Sequence, residues 1–552
     1  MSGRALKKAV LCLKIYRCGV NVKRIFCGIL AVFLLLTVFT ISGCSNDGLD
    51  AILMMDISEN PKTLDPQQAD DSNSVQIVLN VFMGLMRYAA DGSIECGVAE
   101  SYTKSDDELT YTFKLREDVF WTSCGGFEAQ CTAKDFVYGF RRLFSRITKA
   151  PRASEYFCVK YSEELYDGKI VNDNFFGVKA LSDFELEIEL NYANPRFLQL
   201  LCEAPAMPCN EEFFDSVRGK YGLSAECTAS NGAFYVRTWN FDPYASTDVN
   251  YVILSRNSKN ADVYGVCPSS VRFFIEDEED FIGDFLSGET NIIAVANEDR
   301  AKISGNFNCD EFSSITVGLT FNDNSPLFES LDLRKALALS IPRDRIMQAL
   351  KDFETAEGIV PKRTSLLGEN YREKSGLCKI ADYNADEAAA HFRLAKNDID
   401  STLLRGVRII TKSEDAHTAA QYITQEWQLL GLYCQIEKLS ESEFNKRIAS
   451  GNYEIAITEL AGGYDSPAAY LEQLSTVFLQ GDTDIDALLN SAFLAEKDGF
   501  SIYLAAEQIF INNVAFIPLY YKNEYFFTDK DIYDVVYNPF TKTIDFSYGK
   551  MK

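Results

Sequence analysis

Few residues in this chain have the types and spacing that catalysis requires. Two histidines occur, His391 and His417, and both fall in segments whose pattern predicts a helix. His417 lies close to Asp415, but the chain has no H-E-x-x-H sequence, G-x-S-x-G elbow, P-loop or G-x-G-x-x-G turn. With only these two histidines, the chain has few candidates for the base of a Ser–His–Asp triad. The sequence argues against an enzyme.

Paired carboxylates are the one catalytic device that the composition allows. The chain has 80 Asp and Glu residues, and a glycosidase needs two carboxyl groups about 5–10 Å apart. Because that spacing depends on the fold and not on the sequence, an extracellular hydrolase stays open as a remote alternative.

The cysteines do not form a recognisable metal or redox motif. Eleven of them follow Cys44, an odd number scattered over the chain, and no C-x-x-C sequence occurs. Cys124 with Cys131, or Cys202 with Cys209, are close enough in sequence to pair locally. We expect most of the others to be buried apolar thiols. We predict no metal site and no cofactor.

The first 43 residues have the pattern of an export signal. They carry seven basic residues and no acidic one, and residues 25–42 form an uncharged, mostly apolar run. Eighteen such residues could also just span a bilayer as an uncleaved anchor. The small residues Ser42 and Gly43 favour cleavage.

The end of this segment resembles a lipoprotein processing site. The sequence Ile41-Ser42-Gly43-Cys44 is similar to the lipobox of bacterial lipoproteins. That resemblance implies that Cys44 becomes the first residue after cleavage and carries the lipid, whose acyl chains would hold the protein at a membrane.

The remaining chain is strongly acidic. Without residues 1–43 it has 47 basic and 80 acidic residues, a net charge of −33. Such a field repels nucleic acid and favours solubility. We therefore expect no nucleic-acid partner.

Hydrophobic periodicity predicts both helices and strands in the first half. A helix over residues 74–88 would begin at a cap formed by Asp71 or Ser72. Alternating apolar residues predict strands at 109–115 and 184–190. The sequence Thr132–Asp135 predicts another helix start, since its acidic third residue can complete a capping box.

The second half predicts a parallel sheet. Residues 406–411 and 432–439 have strand patterns, and a helical pattern over 415–430, ended by Gly431, lies between them. A strand–helix–strand unit of this length implies a right-handed crossover. Asn384 and Glu387 would cap the preceding helix.

From about Leu53 to the end, the chain resembles the oligopeptide-, dipeptide- and nickel-binding family of solute receptors of ABC importers. The resemblance rests on segments that follow one another in the family's order. They are NPKTLDP (60–66), residues 85–107, residues 111–143, SNGAFYVRTW (230–239), LDLRKALALSIPRDRI (331–346), residues 452–467 and AFIPLYY (515–521).

This resemblance implies an α/β fold with two lobes, like that of periplasmic binding proteins. A small third lobe is inserted into the first, and two hinge crossings join the lobes. Lobe one would comprise residues 50–87, 185–270 and 515–552, the inserted lobe 88–184, and lobe two 271–514. The crossings would lie near residues 267–276 and 513–519.

The resemblance also implies which residues face the ligand. The family's ligand-facing positions fall after the first strand, at a turn near residue 230, and on two strands of lobe two. In this chain they are Ser58, Glu59, Asn60, Ser230, Asn231, Gly318, Glu459, Leu460, Ala461, Gly463 and Asp465. Asn231 and Gly232 could equally form a tight turn with no ligand role.

The chain departs from the family at positions that recognise peptides. The family usually has a tryptophan where this chain has Leu460, and an aspartate, which pairs with the ligand's amino terminus, where it has Gly463. A buried ammonium without that partner would be costly. Either Glu59, Glu459 or Asp465 supplies the charge, or the ligand is not a peptide with a free amine.

The resulting expectation is a monomeric, lipid-anchored receptor that captures peptides between its lobes and delivers them to the permease subunits of an ABC importer. It would act at the outer face of the cell membrane, or in the periplasm if an outer membrane is present. A receptor of the same fold for a sugar, a metal chelate or a signalling peptide is the main alternative. A purely structural surface protein would lack a cavity between the lobes.

Overall fold

The computed structural model describes residues 51–552, except residues 91, 170–174, 195, 245–249, 261–263, 267, 277–279, 352, 479–482 and 496–497. The predicted signal segment (1–43) and the predicted lipidation site Cys44 lie outside the described residues.

The strands are described first. In chain order they are β1 Ile52–Ile57, β2 Met86–Tyr88, β3 Ile94–Cys96, β4 Ala99–Lys104, β5 Thr110–Leu115, β6 Phe120–Thr122, β7 Glu128–Gln130, β8 Val178–Ser182, β9 Glu185–Glu189, β10 Phe234–Asn240, β11 Tyr251–Arg256, β12 Ser270–Ile275, β13 Ile292–Ala296, β14 Phe307–Phe321, β15 Glu354–Thr355, β16 Ser365–Leu366, β17 Glu369–Asn370, β18 Arg405–Thr411, β19 Tyr433–Lys438, β20 Ile455–Ala461, β21 Phe516–Asp529, β22 Ile532–Tyr533, β23 Val536–Asn538, β24 Thr543–Asp545 and β25 Lys550–Met551.

The α-helices alternate with these strands. They are α1 Ser72–Val81, α2 Ala133–Leu143, α3 Ser162–Tyr166, α4 Phe197–Leu200, α5 Glu211–Ser216, α6 Phe281–Ser287, α7 Leu331–Leu339, α8 Arg343–Ala349, α9 Tyr371–Ser375, α10 Ala385–Ala395, α11 Glu414–Leu430, α12 Glu441–Ser450, α13 Pro467–Phe478, α14 Thr483–Leu494 and α15 Gly499–Asn512. Short 3-10 helices occur at Ala153–Tyr156, Ala204–Ala206, Ala225–Cys227, Asn297–Lys302 and Pro326–Glu329.

Three sheets organise the molecule. Lobe one contains a sheet in the order β1-β12-β11-β10, and the inserted lobe contains a sheet in the order β4-β5-β9-β8. Lobe two is built on the largest sheet, in the order β13-β21-β14-β20-β18-β19, with β15 paired to β21. The predicted α/β class is confirmed by this mixture of sheets and helices.

Lobe two follows the local signals in the sequence. The crossover between the parallel strands β18 and β19 runs through α11, whose Ile423 and Trp427 are buried. Gly431 ends α11 with φ 108°, a left-handed conformation that favours glycine. Asn384 caps α10 by accepting a hydrogen bond from the Glu387 N–H at 3.2 Å. These predictions are confirmed.

Lobe one and the inserted lobe share one hydrophobic core. It runs from Leu53 in β1 through Phe113 in β5 and Phe136 in α2 to Phe546 near the end of the chain. Lobe two has separate cores on the two faces of its sheet. The inserted lobe is therefore packed onto lobe one, and this core also includes Ile292 and Phe526 of the lobe-two sheet.

The predicted helix over 74–88 is too long. As predicted, α1 is capped by Asp71, which accepts a hydrogen bond from the Ser74 N–H at 2.9 Å. The helix ends at Val81 because the backbone of Met83 bonds to a side chain from elsewhere in the chain. The Asn231 side chain accepts from the Met83 N–H at 3.1 Å and donates to its carbonyl at 2.9 Å. Met86 then begins β2.

The strand pairing shifts three of the proposed lobe boundaries. β9 pairs with β5 and β8, so residues 185–189 belong to the inserted lobe. β12 lies wholly in the sheet of lobe one, and β21 lies wholly in that of lobe two. The chain thus enters lobe two after Ile275 and leaves it after Asp529, not at residues 513–519. The division with these revised ends remains our proposal.

Candidate ligand-binding site

A cavity of about 270 Å³ lies between the two lobes. Its lobe-one wall comes from the end of β2 and from β23 with the turn that follows it. Its lobe-two wall comes from β14, β16 and the segment after β20. The lining residues are Tyr88, Ala89, Ala90, Gly92, Val536, Tyr537, Asn538, Pro539 and Phe540 on the first wall, and Phe312, Ser313, Arg363, Ser365, Tyr464 and Asp465 on the second.

A larger groove, of about 550 Å³, lies elsewhere on the molecule. It is lined by residues of lobe two alone, among them Lys335, Arg343 and His391. A movement of the two lobes would not close it. The interlobe cavity has walls from both lobes, so such a movement can seal it.

Buried amides hold the lobe-one wall in place. The Ile544 carbonyl in β24 accepts hydrogen bonds from the side chains of Gln76 and Asn80, both at 2.8 Å. The Ile544 N–H donates to Gln76 Oε1 at 2.7 Å. Since β24 pairs with β23, helix α1 fixes the strand that carries Tyr537.

A β-bulge shapes the lobe-two wall. The pairing of β14 with β21 shifts between Ser313 and Ile315, and such bulges redirect the side chains next to them. The ring of Phe312 packs on Tyr537 of the opposite wall, with 5.3 Å between ring centroids. The Ser313 hydroxyl oxygen is buried without a hydrogen-bond partner among the described residues. Aromatic surface from both lobes thus meets at this cavity.

The two charged residues of the cavity differ in their surroundings. Asp465 Oδ1 accepts a hydrogen bond from the Ser365 N–H at 2.6 Å. Burial nevertheless raises the pKa of the Asp465 carboxyl above its usual value. The Arg363 side chain is exposed, and no described residue forms a hydrogen bond or an ion pair with its guanidinium.

One contact joins the lobes beside the cavity. The guanidinium of Arg196, at the start of α4, lies over the ring of Tyr464 at 3.9 Å from its centroid. The Tyr464 hydroxyl donates to Glu472 Oε2 at 3.1 Å within lobe two. Arg196 therefore reaches across the junction to a residue that lobe two holds in place.

Asn291 connects the lobes at the hinge. Its side chain accepts from the Met54 N–H at 2.7 Å and donates to the Ile52 carbonyl at 3.0 Å, so it bonds to the edge of β1. Its own carbonyl accepts from the Asp529 N–H at 2.9 Å, at the end of β21. Asn291 thus links the two segments in which the chain crosses between the lobes.

The hinge also holds an unpaired acid. Asp56 in β1 is 7% exposed, and its Oδ1 has no partner among the described residues. Burial, followed by the negative charges of Asp284 and Glu276, raises the pKa of Asp56 to about 7.

Two of the predicted site regions do not line the cavity. Asn60 Oδ1 accepts from Trp239 Nε1 at 2.8 Å, and the Glu59 carbonyl accepts from Asn73 Nδ2 at 3.2 Å. Ser58, half-buried, lies beside them. These residues follow β1 and fix the chain to α1 and β10, outside the cavity lining.

The second region is buried inside lobe one. Ser230 and Asn231 are fully buried, and the Asn231 amide bonds both backbone groups of Met83. A side chain at Gly232 would meet the Val81 backbone at 2.7 Å. The polar atoms of the Asn231 side chain thus bond to the backbone where α1 ends, and its ligand-facing role stays a prediction. The Ser230 hydroxyl is buried without a described partner.

The predicted residues on β14 and β20 also have structural surroundings. A side chain at Gly318 would meet the Phe516 ring at 2.1 Å, and Leu460 is buried in a core of lobe two. Glu459 forms ion pairs with Lys522 at 2.8 Å and Lys412 at 2.9 Å. Burial opposes its ionisation, but these lysines hold the pKa of Glu459 below its usual value.

The end of β20 is the part of the prediction that reaches the cavity. Asp465 lines it, whereas Ala461 and Gly463 are exposed beside it. No atom lies within 4 Å of a side chain placed at Gly463. The sequence analysis did not identify Tyr88, Phe312, Arg363 or Tyr537, which stand in four separate segments without a shared motif.

The cysteines and metal-binding side chains give no further site in the described part of the chain. The ten cysteines described are free, so Cys124 does not pair with Cys131, nor Cys202 with Cys209. No group of three or more His, Cys, Asp or Glu residues among those described could hold a metal ion. None of the described helices is long and apolar enough to cross a membrane.

The chain is similar to a family of known proteins, and this similarity accounts for the cavity between its two lobes. The model of the family "Bacterial extracellular solute-binding proteins, family 5 Middle" matches residues 93–479. The chain belongs to this family. The prediction from sequence is thereby confirmed at the level of the family, as is the two-lobed fold.

The relatives match over most of their length. The oligopeptide-binding protein OppA of Bacillus subtilis (strain 168) is 22% identical over 512 residues, 88% of this chain and 90% of that protein. The probable deoxycholate-binding periplasmic protein YgiS of Escherichia coli (strain K12) is 24% identical over 490 residues, 84% of this chain and 86% of that protein.

A solved structure agrees on the fold. The substrate-binding domain of the oligopeptide ABC transporter of Bacillus anthracis str. Ames has a TM-score of 0.65 at 23% identity. The match covers 92% of this chain and 100% of that one. This family 5 solute receptor therefore has the fold expected of it.

Proposed function

We propose that the protein captures a peptide in the interlobe cavity and delivers it to the permease of an ABC importer. The observation that carries the proposal is the cavity itself, because its walls come from both lobes and meet at Phe312 and Tyr537. The name of the relative OppA, an oligopeptide-binding protein, supports a peptide as the ligand.

The geometry suits capture by closure. A ligand between Tyr88 and Phe312 would be enclosed by aromatic surface from both lobes and lose its contact with water. The lobes would approach by a movement at the hinge beside Asn291. The permease could then distinguish the closed receptor from the open one by its surface.

A thermal-shift measurement tests the proposal. The chain from Ser45 onward is heated with dipeptides to pentapeptides, sugars or metal chelates. A ligand at about 100 times its Kd stabilises the folded state by about 2.7 kcal/mol. We expect at least one class of peptide to raise the melting temperature; no shift with any peptide would contradict the proposal.

A pair of variants locates the site. Ala90 is exposed and lines the cavity, whereas Ala461 is exposed at the end of β20 and does not. Ala90→Trp should fill the cavity and abolish the peptide-induced shift. Ala461→Trp should leave it intact. The reverse result would place the ligand at the position first inferred from the sequence.

We also propose that Cys44 anchors the protein by a lipid at the outer face of the cell membrane, or in the periplasm where an outer membrane exists, as a monomer. The lipobox-like residues before Cys44 support this. Metabolic labelling with an alkyne fatty acid tests it. We expect the wild type to carry the label and Cys44→Ala to lose both the label and membrane association. A labelled Cys44→Ala would contradict it.

A non-peptide solute is the second candidate. The relative YgiS is described as a probable deoxycholate-binding protein, and this chain has Gly463 where the family usually has the aspartate that pairs with a peptide's amine. The thermal-shift series distinguishes the two candidates directly.

A further inference from the structure

The groove of about 550 Å³ in lobe two is remote from the hinge. It lies between the ends of α7 and α15, the start of β21 and the segment that leads into α10. β21 runs from Ile517, in the groove wall, to the hinge, where the Asp529 N–H donates to the Asn291 carbonyl at 2.9 Å. An extended strand of this length spans roughly 40 Å. The groove therefore lies at the far end of lobe two.

This groove contains a buried cation without a partner. Nη1 of Arg343, the first residue of α8, is buried and has no hydrogen-bond partner among the described residues. Arg345, on the same helix, pairs with Glu426 at 2.6 Å. Burial lowers the pKa of Arg343 to about 10 against the opposing effect of the Asp382 charge, so the guanidinium is charged at neutral pH. Because an unpaired buried charge is costly, an anion bound there would offset that cost.

The lysines of the groove are also without ion pairs. Neither Lys335 nor Lys379 pairs with a described residue. Of the two acids in the lining, Glu387 is engaged, since its Oε2 accepts from Asn384 Nδ2 at 3.0 Å. The other, Asp382, has no hydrogen bond or ion pair with a described residue. The charges that remain available to a ligand are therefore mainly positive.

The rest of the lining suits an apolar body. His391 is engaged outside the groove, because its Nδ1 lies 2.7 Å from Asp332 Oδ1. Much of the remaining wall is aliphatic, from Leu339, Ile380, Ile511, Val514 and Ile517. A concave, largely apolar wall with a few charged groups is typical of small-molecule sites, and a volume of 550 Å³ is in their usual range.

We propose that this groove is a second binding site, for an organic anion that combines one acidic head group with an apolar body. The Arg343 guanidinium would donate two parallel hydrogen bonds to the head group, and the two lysines would add charge. The aliphatic side chains would contact the body. The inference goes beyond peptide capture, because the groove and the interlobe cavity share no lining residue among those described.

Fluorescence titration with two matched dyes tests this site. Anilinonaphthalene sulfonate has an aromatic body and a sulfonate, whereas N-phenylnaphthylamine has the same body without the charge. We expect the sulfonate to bind about tenfold more tightly or better, because charge-assisted hydrogen bonds form only with it. The titration is repeated with Ala90→Trp, which fills the interlobe cavity and should leave sulfonate binding unchanged.

Variants assign the binding to the groove. Arg343→Gln should weaken binding of the sulfonate about tenfold or more and leave binding of the neutral dye unchanged. Arg343→Lys should weaken it less, because it keeps the charge without the bidentate geometry. Lys379→Gln, an exposed change that does not depend on refolding around α8, should weaken it about two- to fivefold. Lys396, exposed at the end of α10 outside the groove, is the control: Lys396→Gln should bind as the wild type does.

The outcomes separate this inference from the proposed function. Equal binding of the two dyes, or sulfonate binding that persists in both Arg343→Gln and Lys379→Gln, would overturn the inference and leave peptide capture standing. Loss of sulfonate binding in Ala90→Trp would place the dye in the interlobe cavity and would also overturn it. Binding that survives Ala90→Trp and depends on Arg343 would support the inference, even if no peptide bound to the protein.

Discussion

Two charged groups inside lobe two, Glu507 and Lys522, differ in their surroundings from two charged groups at the junction between the lobes, Asp56 and Arg363. In lobe two, the buried Glu507 carboxylate accepts from Arg372 at 2.5 Å and from the Ile359 N–H at 2.7 Å. Lys522, likewise buried, contacts Glu459 at 2.8 Å and Asp415 at 3.3 Å. At the junction, Asp56 is buried without a partner for Oδ1, and Arg363 has no described partner at all.

The difference teaches where this protein can move and bind. A buried charge that is paired stabilises one arrangement, and breaking the pair is costly. Groups without a charged partner at the junction do not hold the lobes in one arrangement, and Arg363, which lines the cavity, remains available to a ligand. Changes inside the lobes should therefore affect stability, whereas changes at the junction should affect binding or pH dependence.

The largest effect is expected for Glu507→Gln. This variant leaves Arg372 buried without its carboxylate, and we expect the free energy of unfolding to fall by about 3–5 kcal/mol. Urea denaturation followed by circular dichroism measures it. The control is Glu426→Gln, which breaks a more exposed pair with Arg345 and should cost about 0–1 kcal/mol. Equal losses in the two variants would remove the contrast between buried and exposed pairs.

The next largest loss of stability is expected at Asn231, whose side chain bonds to the backbone of Met83 where α1 ends. Asn231→Ala leaves both backbone groups of Met83 buried without partners, at about 1–3 kcal/mol for each unsatisfied group. We expect the same denaturation assay to show a loss of about 2–4 kcal/mol, and we expect ligand affinity per folded molecule to stay unchanged. A stable variant that fails to bind ligand would restore the ligand-facing role first inferred for this residue.

Local signals in the sequence were enough to place many elements. Caps at Asp71 and Asn384 and the glycine at 431 lie within a few residues of the ends they set, so α1, α10 and α11 could be located. The end of α1 was missed because Asn231, which determines it, lies 148 positions further along the chain. We propose a later second crossing than the sequence suggested, because β21 runs unbroken for 14 residues.

The site could be predicted only in part, for the same reason. Asp465 was found because the resemblance to the family places a ligand-facing position there. Arg363 and Tyr537 lie in loops or short strands without periodicity, and only the packing of the two lobes brings them to one cavity. Residues such as Asn231 looked like site residues because a buried structural amide and a ligand-binding amide share the same sequence signal.

A smaller effect is expected at the hinge acid, and it depends on pH. The pKa of Asp56 is raised to about 7 in the folded protein from 3.8, by burial and by Asp284, Glu276, Glu289 and Asp280. Below pH 3.8 the carboxyl is neutral in both states and destabilises nothing. As the pH rises from 3.8 to 7, the unfolded state loses its proton first, so this group makes the protein progressively less stable.

Asp56→Asn removes that dependence. We expect the variant to be about 1–3 kcal/mol more stable than the wild type at pH 8, and to match it at pH 4. Melting temperatures at a series of pH values measure the difference. A variant that is less stable at pH 8 would show that the charged form of Asp56 is favoured at the hinge, contrary to its surroundings.

The smallest effect is expected for the contact across the junction. A cation over an aromatic ring contributes about 0.5–1 kcal/mol at an exposed site, and the Arg196–Tyr464 pair can form only when the lobes are close. Arg196→Ala should therefore shift the population towards the open form and weaken ligand binding about two- to fivefold, since the closed form must be populated at greater cost. Calorimetry with whichever peptide binds the wild type measures this.

Arg300 provides the matched control because its cation lies over two rings inside one lobe. Its guanidinium is 5.1 Å from the Phe527 ring and 5.6 Å from the Tyr525 ring, on the strand that runs through lobe two. Arg300→Ala removes a contact of the same kind that closure neither makes nor breaks, so affinity should not change. If both variants weakened binding equally, the loss of affinity would reflect a general destabilisation of the protein and not the contact between the lobes. A loss of affinity confined to Arg196→Ala would mean that bringing the lobes together consumes part of the binding free energy. Only a contact between the lobes can reduce that cost.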